Sequence, residues 1–175
     1  MSEIRRSTKE TNVLVEIRGG GDSAISTTVP FLDHMLTALS RHGELGLRVE
    51  ATGDLTHHLI EDVAIAVGMA VAERCRVPVG RYGFQVIPMD DALVECALDL
   101  GGRSYYRGPL PSDYYDHWMR SFSEHARATL HFRVIRGVDR HHIVEAAFKA
   151  LGRALAQGLS PARDIASTKG AVTLR

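Results

Sequence analysis

The sequence predicts an α+β fold in which one β-β-α-β-α unit is used twice, forming antiparallel sheets with the helices packed on one side. Three observations predict it. Two stretches of the chain recur in the same order at almost the same offset, alternating apolar runs stand beside runs of helical period, and 175 residues at 45% hydrophobic suffice for one substantial core. The segment from Asp33-His34 to Ser40-Arg41-His42 lies over Asp116-His117 to Ser123-Glu124-His125, with Asp, Ser and both histidines coinciding. Further on, HHLIEDVAIAVGMAVAE from His57 lies over HHIVEAAFKALGRALAQ from His141, sharing both histidines, the glutamate, the glycine and three alanines. Residues 1–80 thus form a first half and 81–160 a second, fused as one globular domain, and 161–175 form a C-terminal tail.

In the first half, Asn12 to Ile17 and Ala24 to Val29 flank a triple-glycine turn and read as strands. The helix bearing Asp33, His34 and His42 follows. Leu45, Leu47 and Val49 then alternate as in a strand with one buried face. After a turn at Gly53, a second helix runs from about His57 to Glu73, its apolar stripe supplied by Ile60, Ala64, Val67 and Val71. In the second half, Tyr82 to Ile87 and Ala92 to Leu98 surround Pro88-Met89-Asp90-Asp91 as a hairpin. The Asp116-His117 helix, the alternating Leu130, Phe132 and Val134, a turn at Gly137 and a helix from His141 to Gln157 complete the copy. Val144, Phe148, Leu151 and Leu155 form the stripe of that last helix.

Composition narrows the function classes. The two cysteines, Cys75 and Cys96, lack CxxC spacing, which argues against a disulfide framework and a thiolate zinc site and for a reducing, cytoplasmic setting. No apolar run reaches 18 uncharged residues, and the N-terminus has no apolar signal region, so a membrane association is not expected. Net charge is zero, but residues 1–116 carry 11 basic and 17 acidic groups and residues 117–175 carry 10 and 4. The basic excess is spread as isolated arginines without stacking aromatics, which does not suit nucleic acid and leaves room for a local phosphate site.

The nine histidines are the most specific feature. His57 and Glu61 stand four apart at the start of a helix, and His141 and Glu145 repeat the arrangement, so an imidazole and a carboxylate share a helix face. The HHxxE pattern, without thiolates, suits a borderline or hard divalent ion. A lone histidine on a half-buried helix is ordinarily a hydrogen-bonded structural residue. Repetition selects eight ligands: His34, His57, His58, Glu61, His117, His141, His142 and Glu145. They divide into two sites of three imidazoles and one carboxylate, since adjacent histidines point in divergent directions. His42 and His125 read as packing residues, and His131 as a strand residue.

FLDHM at Phe31 to Met35, Gly53-Asp54 with HHxxED at His57 to Asp62, HHIVEAAFKALGRAL at His141 to Leu155, and STKG at Ser167 to Gly170 resemble the imidazoleglycerol-phosphate dehydratase family of histidine biosynthesis over nearly the whole chain. The resemblance implies a duplicated α+β half of the ribosomal protein S5 domain 2-like kind. It also implies a hydro-lyase that removes water from imidazole-glycerol phosphate, two Mn2+ per active site, and trimers assembled into a 24-mer with sites formed between subunits. The metal ligands it implies are the eight already selected. It adds Glu10 of the TKET segment as a proton-transfer group beside Glu61, Glu145, His58 and His142. Arg81, Arg103 and Lys169 become phosphate contacts, with Asp90 of the hairpin turn in the substrate site. Ser167-Thr168-Lys169-Gly170 supports a phosphate site independently, offering hydroxyls, an ammonium and flexible backbone N–H groups in the basic part of the chain. The tail is then substrate-binding. Without the resemblance, the histidine pairs also suit metal storage or sensing, a metal-dependent phosphatase, or a metal-stapled scaffold.

Overall fold

The computed structural model describes residues 1–164. The first repeat comprises β1 (Ser2–Ser7), β2 (Thr11–Gly19), β3 (Ala24–Ser26), α1 (Pro30–Gly43), β4 (Leu45–Gly53) and α2 (Thr56–Arg74). The second comprises β5 (Tyr82–Met89), β6 (Ala92–Asp99), β7 (Tyr105–Arg107), α3 (Asp113–His125), β8 (Thr129–Arg136) and α4 (Arg140–Gly158). Each repeat makes one four-stranded sheet, ordered β1-β2-β4-β3 and β5-β6-β8-β7, so the duplication extends to strand order.

The β-β-α-β-α unit is present in both copies, with two differences from the sequence expectation. The hairpin of the first repeat is β1–β2 and not a pair flanking the triple glycine. β1 was not expected because its charged side chains, Glu3, Arg5 and Arg6, disguise the alternation of an edge strand. The segment after the glycines is a three-residue strand, and it and its counterpart β7 pair in parallel with β4 and β8, which makes the sheets mixed. Such short pairings leave too few residues for a period to show.

One face of each sheet is apolar. Val13, Val15 and Ile17 alternate on β2 and Leu47, Val49 and Ala51 on β4, whereas Val94, Cys96 and Leu98 lie beside Leu130 and Phe132 in the other sheet. These faces are covered by helices whose expected stripes are buried, from Ile60 to Val71 on α2 and from Val144 to Leu155 on α4. The buried residues of both repeats form a single continuous cluster. No helix among the described residues is long and apolar enough to cross a membrane.

The helices pair across the repeats, α1 on α4 and α2 on α3. Each contact is closed by a glycine. A Cβ on Gly152 of α4 would stand 2.6 Å from the Leu39 carbonyl oxygen, and one on Gly68 of α2 would stand 2.7 Å from that of Phe122. Backbone approach this close requires a residue without a side chain. It also fixes the helices along their length, which sets what meets at their N-terminal ends.

Candidate active site

At those ends, each repeat's single histidine meets the other repeat's HHxxE. His34 on α1 and His141 on α4 both turn Nε2 to Glu145, at 3.3 and 3.1 Å from Oε2. His117 on α3 approaches Glu61 on α2, with Nε2 3.2 Å from Oε1, and its ring lies 5.2 Å from that of His57. The donor atoms within His34, His141 and Glu145, and within His57, Glu61 and His117, all lie within 4.8 Å of one another.

These groups fit a divalent ion. Two ligands each about 2.1 Å from one ion stand about 3.0–3.4 Å apart at tetrahedral or octahedral angles, the separation of Glu145 from His34 and His141 and of Glu61 from His117. His117 Nε2 is buried and has no hydrogen-bond partner among the described residues, although Glu61 Oε1 lies 3.2 Å away. Imidazole and carboxylate donors without thiolate suit a divalent cation.

The surrounding residues hold the trios in place. The aspartates preceding the single histidines turn away from them. Asp33 accepts from the backbone N–H of Thr27 at 2.8 Å, and Asp116 from the Leu110 N–H at 2.9 Å and the Tyr106 hydroxyl at 2.6 Å. Each fastens its helix to the preceding loop. Phe31 and Tyr114, three residues before each single histidine, stand edge-on to His141 and His57 at 5.1 and 5.7 Å between centroids. Burial pushes the Glu145 carboxyl up, but the Lys149 ammonium 2.8 Å from Oε1 and the two histidines hold it below its ordinary value.

His58 and His142 lie outside the trios, so within one chain each cluster has two imidazoles and one carboxylate. Each turns Nδ1 toward a hairpin. His58 Nδ1 lies 3.1 Å from Glu10 in the β1–β2 turn and 3.5 Å from Asp54. These three form another compact group of possible ligands. His142 Nδ1 bonds Asp91 in the β5–β6 turn at 2.6 Å, with Asp90 3.4 Å from Nε2. Backbone N–H groups of Val138 and Asp139 join His142 in holding the Asp91 carboxyl down at about 2, and Asp91 in turn raises His142. A histidine whose Nδ1 is held by a carboxylate presents Nε2 as its metal donor.

A cavity of about 300 Å³ beside this region is lined by Arg6, Thr8, Glu10, His58, Glu61, Asp62 and Ile65. Arg81 is not brought there. It precedes β5, whose other end carries the Asp90 turn, about 25 Å away at strand rise, and it pairs with Asp99 at 2.6 Å. Arg103 lies near that far end, in the β6–β7 connection. Ser167 and Lys169 lie outside the described residues. His42 and His125 pack at the helix crossings, with Cβ atoms 3.2 and 3.1 Å from where Gly152 and Gly68 would carry theirs. The exposed His131 ring lies 5.3 Å from that of Tyr105. Sequence reasoning missed Asp91, Lys149, Phe31 and Tyr114. The last two had a signal, an aromatic at the same place in both copies.

Comparison with known proteins agrees with this geometry. The family model described as imidazoleglycerol-phosphate dehydratase matches residues 27–155. The imidazoleglycerol-phosphate dehydratase of Chlorobium chlorochromatii is 42% identical over 187 residues, 97% of this chain and 95% of that one. That of Pyrobaculum aerophilum is 46% identical over 181 residues, covering 94% and 96%. The crystal structure of the Pyrococcus furiosus enzyme in complex with (S)-C348 superposes with a TM-score of 0.87 at 38% identity, covering 97% of this chain and 100% of that chain. A fold, a repeat and a pair of histidine–glutamate trios thus converge on one assignment, and the chain belongs to the imidazoleglycerol-phosphate dehydratase family.

Proposed function

We infer that the chain dehydrates D-erythro-1-(imidazol-4-yl)glycerol 3-phosphate to 3-(imidazol-4-yl)-2-oxopropyl phosphate in histidine biosynthesis, as a metal-dependent hydro-lyase. The observation that carries the reading is the pair of His/His/Glu trios built across the repeats within a chain of this family. The ions are two Mn2+ per active site, one for each trio.

The carbon that loses its proton is not acidified by a carbonyl, so a bound divalent ion supplies the Lewis acidity that lets the substrate's imidazole ring accept or release electrons. The residues do the remaining work. His34, His141 and Glu145 hold one ion, and His57, His117 and Glu61 the other. His142, held through Nδ1 by Asp91, and His58, beside Glu10 and Asp54, would give their Nε2 atoms to the sites of a neighbouring copy, restoring three imidazoles to each. Glu10 moves the proton, its carboxylate lying on the cavity wall beside His58 and Glu61. Glu61, Glu145, His58 and His142 act in catalysis through the ions they hold.

Arg81, Arg103, Ser167 and Lys169 grip the phosphate, with Asp90 bordering the substrate, and the remote binding energy positions the reacting carbons. Arg81, beside the C-terminal end of α4, lies too far from its own chain's trios to share a small substrate with them, which supports sites completed between copies. Self-association is that of the family, and trimers built into a 24-mer are the assembly we propose. Tyr82, Phe84 and Val86, exposed on the outer face of β5, support burial between copies. Residues 1–80 and 81–160 act as two halves of one domain, 161–175 as the substrate-binding tail, and the setting is the cytoplasm.

Manganese reconstitution followed by product analysis tests the reading. Formation of the keto phosphate without inorganic phosphate supports dehydration. Phosphate release makes the chain a phosphatase, and no turnover with ions bound makes it a storage protein. Native mass and metal content per chain test the 24-mer and the two ions.

A further inference from the structure

The β1–β2 turn holds Glu10 over His58, and it is itself held by a chain of hydrogen bonds whose direction is fixed. The Thr8 hydroxyl oxygen accepts two backbone N–H groups, from Glu10 at 3.1 Å and Thr11 at 2.9 Å. It lies 3.1 Å from the Thr11 hydroxyl, and Thr11 bonds Asp62 on α2. An ionised carboxylate only accepts, so Thr11 donates its proton to Asp62. With Thr8 already accepting twice, its own proton goes to Thr11. The sequence of donors then runs Glu10 N–H to Thr8, Thr8 to Thr11, Thr11 to Asp62, and chains of this kind strengthen each bond in turn.

Asp62 is suited to end such a chain. It is 8% exposed, Thr11 is 1% exposed, and Arg6 donates to its other oxygen at 2.8 Å. Both oxygens are therefore required as acceptors. The second repeat has Ala146 at the matching place, and its hairpin is held differently, through Asp91 and the Val138 and Asp139 N–H groups. Asp62 is also adjacent to Glu61, so the same turn of α2 that carries a trio ligand fixes the turn carrying Glu10.

We propose that Asp62 is a positioning residue which, through the Thr11 and Thr8 hydroxyls, sets the Glu10 carboxylate in place for proton transfer. The proposal rests on the role given to Glu10 above. Removing a link leaves both trios intact and releases the Glu10 turn, lowering turnover more than substrate binding.

The test uses manganese-loaded Thr11→Val, which keeps shape and removes the hydroxyl, Thr11→Ser, which keeps the hydroxyl, Glu10→Gln, and the double variant Glu10→Gln/Thr11→Val. Metal content, kcat, KM and amide exchange at Glu10 are measured for each. Thr11→Val should lower kcat about tenfold, the size expected for losing a bond to a charged group, with KM and metal content within twofold and faster exchange at Glu10. Thr11→Ser should restore the parent behaviour. On the Glu10→Gln background the Thr11→Val change should cost no further kcat, because residues acting through one group are not additive. Parent kcat in Thr11→Val while Glu10→Gln is crippled overturns the relay alone, and so does an undiminished further loss in the double variant. Parent kcat in Glu10→Gln overturns the proton-transfer role of Glu10 and leaves the relay nothing to position. Asp62→Asn serves as an independent check. Its amide offers only one acceptor oxygen to two donors, so it should resemble Thr11→Val in kcat, and parent kcat there also overturns the proposal.

Discussion

The two repeats share strand order, helix pairing and a histidine–glutamate trio, but they differ immediately around it. In the first, the hairpin over the histidine pair is tied to α2 by Asp62, and Glu61 has Ile65 one turn further on. In the second, the corresponding places are Ala146 and Lys149. The hairpin is tied instead to the start of α4, because Asp91 accepts from the N–H groups of Val138 and Asp139. The skeleton of the site thus needs both copies to be alike, since each trio borrows from both, whereas the groups that hold its carboxylates have diverged. A duplicated fold offers two metal-binding frames, and single substitutions make the frames chemically unequal.

The likeness of the two trios can be broken one at a time. Glu61→Gln and Glu145→Gln each remove a charged donor from a different trio. Each should release one ion per chain and lower kcat/KM at least about a hundredfold, since even residues that only orient a ligand are worth 10–100-fold in metal affinity. Loss of both ions from either variant would show that the trios are not separate sites. The hairpin carboxylates should differ more. Glu10→Gln should lower kcat about a hundredfold or more with both ions retained, the scale of general acid–base catalysis. Asp91→Asn should lower metal affinity about tenfold by loosening His142. Equal phenotypes, read by titration of metal and by steady-state kinetics, would mean that the two turns do one job.

Much of the shared skeleton was legible because it was written twice. The HHxxE pairs, the single histidines and the helix stripes recur in register, and recurrence separates a candidate ligand from a chance histidine. The groups that differ were not legible for the same reason. Asp62 faces Ala146 in the alignment of the copies and reads as ordinary helix sequence until the fold sets it under Thr11, whereas Lys149, opposite Ile65, went unread although its i,i+4 spacing from Glu145 is that of a helix pair. The division of ligands was likewise beyond the pattern. Spacing shows that His57 and His58 diverge, but only the helix crossings decide that His57 meets His117 and not His34.

Those crossings supply a test of equivalence. Gly68→Ala and Gly152→Ala each drive a methyl group into a carbonyl oxygen of the facing helix, at 2.7 and 2.6 Å. Over-packing of this kind costs about 1–3 kcal/mol, offset by up to about 1 kcal/mol of gained helix propensity. Both variants should therefore lose similar stability in thermal or denaturant unfolding. A large loss in one alone would show that one crossing carries more of the fold.

The smallest difference expected comes from Lys149. Glu145 is buried yet its carboxyl is held below the ordinary value of 4.5, with Lys149 the foremost attraction opposing burial. A carboxylate whose folded pKa is lowered adds stability that is present above the unfolded pKa and lost as pH falls through the folded one. Lys149→Met should therefore destabilise the metal-free protein by about 1–2 kcal/mol near neutrality, a buried-pair loss discounted for the partial exposure of the lysine, and should move acid unfolding to higher pH. Ile65→Met, at the matching place beside Glu61, removes no charge and should leave the acid limb where it is. If the two variants shift it equally, Lys149 acts by packing. If only Lys149→Met does, and a divalent ion returns most of the lost stability, then the ammonium and the ion serve the same carboxylate, and the second trio differs from the first in having a resident cation of its own.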